Sequence, residues 1–130
     1  IDVLVGKNMN DKSKVKELGD IENDDMILDI GPKTIEKIKN IIENSKTILW
    51  NGPAGYFENP NFARGSHEIA KQIVKKNKDN SIYSVIGGGD TIALINQINL
   101  AEEFNFVSTA GGAFLEYLEG KELPGIKALN

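Results

Sequence analysis

The stretch Ser84–Ala93, S-V-I-G-G-G-D-T-I-A, ends an apolar run at three consecutive glycines and sets an acid and a threonine before a helical pattern. A glycine-rich turn that feeds a helix N-terminus is suited to bind an anion. Without Cβ atoms the backbone N–H groups approach a phosphate closely, and the positive end of the helix dipole favours negative charge. A second such turn, S-T-A-G-G-A at Ser108–Ala113, follows another apolar run and again leads into a helical pattern. The plainer alternative is a pair of tight strand-to-helix turns, although packing alone does not require two of them. Asp90 sharpens the question, because a carboxylate beside a phosphate repels it unless a cation lies between. Mg²⁺ is held by one or two carboxylates plus substrate phosphates, so Asp90 points to a metal–nucleotide ligand. Its other reading is a helix cap. Thr91 reads either as a cap of the same helix or as a hydroxyl donor to phosphate.

Other chemistries find less support. G-G-G-D-T-I has Ile92 where G-x-G-x-x-G needs its third glycine, and no G-x-x-x-x-G-K-[ST] occurs. His67 is the only histidine; it lies in a polar helix start and reads as a surface residue. The Lys75–Lys78 cluster reads as a solvated helix end, where cations suit the dipole.

The chain must position these loops with 130 residues, 40% hydrophobic and 26% charged, which is ordinary composition for one domain with a core. A net charge of −4 argues against nucleic acid as a partner. No apolar run of membrane-spanning length and no signal-peptide layout occur, so neither membrane insertion nor secretion is expected. The absence of cysteine excludes disulfides and thiolate chemistry, and fits a cytoplasmic protein. The chain opens at Ile1, without Met and already inside an apolar run, which suggests a piece of something longer.

Five short, unalternating apolar runs read as strands: Ile1–Val5, Met26–Ile30, Thr47–Trp50, Ile82–Ile86 and Phe106–Ser108. Stripes at Ile35, Ile38, Ile41 and Ile42, at Phe62, Ile69, Ala70, Ile73 and Val74, and at Ile92, Ala93 and Ile95 read as helices. A last one, with Leu115 and Leu118, is closed by Gly120 as a C-terminal cap. From Met26 onward strands alternate with helices, which predicts an α/β fold with a mostly parallel, doubly wound sheet. Gly6–Asp25, rich in Asn, Asp and Lys, reads as an irregular surface segment that lets its flanking strands pair antiparallel. Ligands of such sheets bind beyond the carboxyl ends of the strands, where W-N-G-P-A-G-Y-F-E, G-G-G-D-T and S-T-A-G-G-A would share one rim.

Four segments in this order, L-D-I-G-P-K-T-I-E-K-I, L-W-N-G-P-A-G-Y-F-E, V-I-G-G-G-D-T-I-A and S-T-A-G-G-A-F-L-E-Y-L-E-G-K-E-L-P-G, resemble the C-terminal part of phosphoglycerate kinases. The resemblance covers Asp29 to Gly125 and is looser over Ile1–Leu28. It implies that residues 1–130 are the C-terminal portion of a nucleotide-binding domain. That domain is a Rossmann-like, three-layer α/β/α sheet with helices on both faces, truncated at its N-terminal side, while the chain reaches the family's usual C-terminus. The whole enzyme moves a phosphoryl group between 1,3-bisphosphoglycerate and Mg·ADP, giving 3-phosphoglycerate and ATP. By the same resemblance Asn51 and Glu58 hold the adenosine and Pro53 lines the base. Gly87, Gly88, Gly89, Asp90 and Thr91 face the nucleotide phosphates, with Asp90 at the Mg²⁺. Ser108, Thr109, Gly111 and Gly112 lie near the transferred phosphoryl group.

The resemblance further implies that the phosphoglycerate-binding domain is missing, together with a lysine near the phosphates and part of the adenine wall. The isolated chain is therefore expected to bind nucleotide weakly at best, to be inactive, and to associate through an exposed sheet edge and face, although the whole enzyme is expected to be a monomer. A stand-alone α/β binding or assembly module that needs a complementary chain is the alternative. One departure stands out: Ala110 replaces the first glycine of the family's usual S-T-G-G-G-A. A residue there with φ > 0 would be strained, and one with φ < 0 would not.

Overall fold

The computed structural model of the chain describes residues 1–129. Strand β1 (Asp2–Gly6) is buried at every position, because it runs through the middle of an antiparallel sheet between β2 (Lys14–Glu17) and β3 (Met26–Ile30). The expected antiparallel pairing of the strands that flank Gly6–Asp25 is present, with Val3 opposite Ile30. The segment itself is not wholly irregular, because β2 lies inside it. Of K-V-K-E only Lys16 is buried, so this edge strand carries little of the apolar signal by which strands are recognised. Ion pairs hold its return. Lys16 Nζ lies 2.6 Å from Asp25 Oδ2, and Lys7 Nζ lies 3.0 Å from Asp25 Oδ1. The Lys16 ammonium foremost, then the Glu22 N–H and Lys7, hold the Asp25 carboxyl far below the usual carboxylate range.

From β3 the alternation is as the periodicity predicts: α1 (Pro32–Glu43), β4 (Thr47–Asn51), α2 (Arg64–Lys78), β5 (Tyr83–Gly87), α3 (Gly89–Gln97), β6 (Phe106–Ser108), α4 (Gly112–Leu118) and the short α5 (Pro124–Lys127). Strands β4, β5 and β6 form the parallel sheet, in that order. The strands fall into two three-stranded sheets rather than one mostly parallel sheet, and Met26–Ile30 pairs only in the antiparallel one. The main core joins Trp50 and Ile86 of the parallel sheet to Ile42 of α1, Ile73 and Val74 of α2, and Leu94 and Ile95 of α3. Ile41 of the first stripe is exposed, and Leu94 rather than Ala93 carries the third. Gly120, at φ 81°, stops α4 as expected: its N–H donates to the Tyr117 carbonyl and the Lys121 N–H to that of Glu116.

Strand alternation leaves the opposite face of the parallel sheet open. Leu49, Tyr83 and Phe106 are 44%, 52% and 50% exposed, and the register sets Leu49 and Phe106 on either side of Val85. A second helical layer of a three-layer fold would lie there.

Two strand carboxylates fix the first helices onto the antiparallel sheet. The N-cap of α1 is Gly31 and that of α2 is Ala63, neither of which has a side chain able to cap. Asp2 of β1 supplies the acceptor for α1, taking the N–H groups of Thr34 (2.8 Å) and Lys33 (3.0 Å) and the Thr34 hydroxyl (2.9 Å). Asp29 of β3 does the same for α2, accepting the Gly65 N–H at 2.8 Å. Both carboxylates are buried. Their titrations nevertheless differ. Burial acts to raise the Asp2 carboxyl, but the Lys33 and Thr34 donors outweigh it and hold the group below its ordinary value. Burial pushes the Asp29 carboxyl up, and the Gly65 and Ile30 N–H groups do not offset it.

Asp2 therefore contributes stability that is present above the unfolded carboxylate value of about 4 and is lost as pH falls through its lower folded value. Asp2→Asn is expected to lower the urea midpoint at pH 7, with the difference from the parent shrinking below about pH 4. Urea titrations at a series of pH values check this; a pH-independent difference would show that the charge of Asp2 is immaterial.

Candidate functional site

The parallel register ends three strands at one level. Asn51 is opposite Gly87, and Gly87 is opposite Ser108, so the last residues of β4, β5 and β6 stand in a row. With neighbouring strands about 4.8 Å apart, the three loops that follow leave one rim within roughly 10 Å. The predicted assembly of W-N-G-P-A-G-Y-F-E, G-G-G-D-T and S-T-A-G-G-A on one edge is thus present.

At the middle loop, Gly87 is buried and Gly88 has φ 87°, a conformation that side chains rarely adopt. A Cβ on Gly88 would also collide with Asn51 Oδ1, so the Asn51 side chain lies against this turn. Gly89 opens α3 with nothing near its Cβ direction, and Asp90 follows, exposed, in the first turn. The N-cap of α3 is Gly88, so Asp90 is not the capping residue. Thr91 is fully buried, and its hydroxyl oxygen accepts the Gly52 N–H at 2.7 Å. The same oxygen ties the middle loop to the one after β4.

At the third loop Ser108 is buried, Thr109 is exposed, and Gly111 has φ 54° and ψ −127° before Gly112 opens α4. No Cβ clash arises at Gly111 or Gly112. Ala110 is not among the positive-φ residues, which outside glycine are Asn80 and Asn99 among the described residues. The replaced glycine therefore carries no left-handed backbone, and the conformation that requires glycine sits one position later.

On the loop after β4, Asn51 and Glu58 are exposed and Pro53 half-buried. This loop has little internal structure and is fixed from outside. The Ala54 N–H donates to the Ser66 hydroxyl oxygen of α2 (2.8 Å) and the Tyr56 N–H to the Leu28 carbonyl of β3 (2.7 Å). A Cβ on either Gly55 or Gly65 would strike the Asp29 carboxylate. Ser66, Asp29 and the Leu28 carbonyl escape a reading of the sequence because each acts across the tertiary structure. Glycines at 55 and 65 were the available signal.

The helix starts divide into two kinds. In α1 and α2 the first-turn N–H groups meet Asp2 and Asp29. In α3 and α4 the N-caps are Gly88 and Gly111, with no side-chain cap, and both starts belong to the rim. An anion beside α3 would meet unpaired N–H groups, the positive dipole end and no intervening Cβ. The donor set also fits Mg²⁺, which asks for one or two carboxylates and completes its shell with phosphate oxygens and water; Asp90 supplies one exposed carboxylate at that place. One cleft of this chain, between Asp2, Lys16, Glu17 and Lys33, lies away from the rim, at the antiparallel sheet. No helix of the described residues is long and apolar enough to cross a membrane.

The family model for phosphoglycerate kinase matches residues 1–121, including the first 28 residues, where the motifs are weakest. The phosphoglycerate kinase of Buchnera aphidicola subsp. Schizaphis graminum is 48% identical over 131 aligned positions, covering 99% of this chain and 33% of that one. That of Zymomonas mobilis is 46% identical over 130, covering 98% and 33%. Among solved structures, phosphoglycerate kinase from Coxiella burnetii superposes with a TM-score of 0.90 at 40% identity, over 98% of this chain and 32% of that one. The Pyrococcus horikoshii OT3 enzyme gives 0.80 at 35% identity. The chain thus spans about a third of the length of the curated relatives that it matches. On motif order, family match and superposition together, the chain belongs to the phosphoglycerate kinase family.

Proposed function

We propose that this chain forms one side of the nucleotide site of a cytoplasmic, glycolytic phosphoglycerate kinase, which transfers a phosphoryl group between 1,3-bisphosphoglycerate and Mg·ADP. The observation that carries the reading is the row Asn51–Gly87–Ser108, from which two uncapped helix starts and an exposed carboxylate rise on one rim. Gly87, Gly88, Gly89 and the start of α3 receive the nucleotide phosphates through backbone N–H groups. Asp90 holds Mg²⁺, which when bound neutralises charge on the phosphate oxygens. Asn51 and Glu58 hold the adenosine and Pro53 lines the base; the Asn51 side chain also lies against Gly88 of the phosphate turn. Ser108, Thr109, Gly111 and Gly112 border the phosphoryl group in transit. Such a site works by positioning and fixed dipoles and needs no covalent intermediate.

The acid substrate, 3-phosphoglycerate or 1,3-bisphosphoglycerate, is bound by parts of the enzyme outside this chain, which alone does not turn over. The exposed face with Leu49, Tyr83 and Phe106 supports the same division, since an apolar sheet face of this kind is ordinarily covered by more protein. A separate module that requires a complementary chain is the second reading that this face favours.

Titration of Mg·ADP into the 130-residue chain, followed by backbone amide NMR, tests the proposal. Shifts are expected at Gly87–Thr91 and Asn51–Glu58 and are expected to vanish when Mg²⁺ is chelated. A folded chain that shows none at millimolar nucleotide would mean that the parts of the enzyme outside this chain supply the binding energy and that this rim alone does not bind. In the complete kinase, Asp90→Ala is expected to lower activity and Mg²⁺-dependent nucleotide affinity by about 10–100-fold without loss of fold, read by coupled assay and circular dichroism. Unchanged Mg²⁺ dependence would remove Asp90 from the metal site. Gly111→Ala is expected to destabilise the loop by about 1–3 kcal/mol, whereas Ala110→Gly changes stability by less than about 1 kcal/mol, both read by thermal unfolding.

A further inference from the structure

The loop after β4 donates the N–H groups of alternate residues to three different elements. Gly52 donates to Thr91 of α3, Ala54 to Ser66 of α2, and Tyr56 to the Leu28 carbonyl of β3. Pro53, between the first two, has no N–H to give. Two of the three acceptors are side-chain hydroxyls, and both belong to residues with no exposed surface. In this structure both hydroxyls face the loop rather than solvent. Thr91 also follows Asp90 directly on α3, so its bond to Gly52 spans the gap between the phosphate turn and the corner that carries Asn51.

We infer that Thr91 and Ser66 are positioning residues, the two ties that hold the Asn51–Glu58 loop at a fixed distance from the Gly87–Asp90 turn. This inference rests on the nucleotide-site reading above. The physical content is preorganisation: a nucleotide reaches from one loop to the other, and a loop already held in place loses less freedom when it binds. The Thr91 tie acts at the phosphate end, through Gly52 and its neighbour Asn51. The Ser66 tie acts one turn later, between Pro53 and Gly55, where Asp29 already limits the loop.

The test uses the complete kinase carrying this sequence, with Thr91→Val, Thr91→Ser and Ser66→Ala. Valine keeps the shape of threonine and removes the acceptor, whereas serine keeps the acceptor. Thr91→Val is expected to raise KM for Mg·ADP about tenfold while KM for 1,3-bisphosphoglycerate stays within about twofold. Thr91→Ser is expected to remain within about threefold of the parent for both substrates. In the nucleotide-free protein, Thr91→Val should speed amide exchange at Gly52 and Ser66→Ala at Ala54, with the helix amides of α2 and α3 unaltered. An unchanged KM for Mg·ADP in Thr91→Val, an equal rise for both substrates, or a serine variant as impaired as valine would overturn the inference. A fall in kcat with KM intact would also overturn it, by pointing to direct contact with the phosphoryl group. Should Thr91→Val fail to fold, Ser66→Ala decides: it must raise KM for Mg·ADP while sparing the other substrate. A parent enzyme that binds no Mg·ADP at all would instead sink the nucleotide-site reading, independently of the variants.

Discussion

The first-turn N–H groups of a helix must find partners, and in this chain no long helix supplies its own. The N-caps of α1, α2, α3 and α4 are Gly31, Ala63, Gly88 and Gly111, none with a polar side chain. Where the partners come from divides the molecule into scaffold and site. For α1 and α2 they come from Asp2 and Asp29, buried carboxylates on the strands of the antiparallel sheet, which lock both helices to it. For α3 and α4 the helix starts open onto the rim of the parallel sheet. A capping serine or aspartate at position 88 would satisfy the orphan N–H groups of α3 and also close the space that a phosphate would use.

The scaffold and the rim are connected through few atoms. Asp29 accepts from Gly65 at the head of α2 and also stands where a side chain on Gly55 would go, so one carboxylate fixes a helix and a loop together. This arrangement demands glycine at both places for reasons of space, whereas at Gly88 space and backbone angle both demand it and at Gly111 the backbone angle alone does. Asp29 has a cost. Its desolvation is not fully offset, and a carboxyl pushed upward by burial weakens folding as pH rises through its ordinary value. Asp2, with three donors, has the opposite sign. A site that needs a rigid rim is thus supported by one electrostatically favourable and one unfavourable carboxylate.

The open sheet face sets the scale at which the chain is to be understood. Leu49, Tyr83 and Phe106 would be core residues in a three-layer fold, yet half of each is exposed here, and the chain covers about a third of its relatives' length. The strand register and helix starts of the rim are local to β4–β6, whereas the loop after β4 is held by Ser66 of α2 and the Leu28 carbonyl of β3.

The sequence by itself determined the alternation of strands and helices from Met26 onward, the glycine turns, the Gly120 cap and the family, because these depend on local periodicity, on φ preferences and on motif order. It was silent on β2, whose K-V-K-E pattern lacks an apolar stripe, and on the division of the strands into two sheets, because a short buried run does not declare all its partners. Only the tertiary structure decided that the positive φ of this turn falls at Gly111 and not at Ala110, since φ at a glycine-rich turn depends on where the chain must go next. It also decided that Thr91 is a buried tie and that Asp90 is no cap. Hydrogen bonds such as Gly52 to Thr91 or Ala54 to Ser66 join residues 39 and 12 positions apart, and no local pattern encodes a partner at that separation.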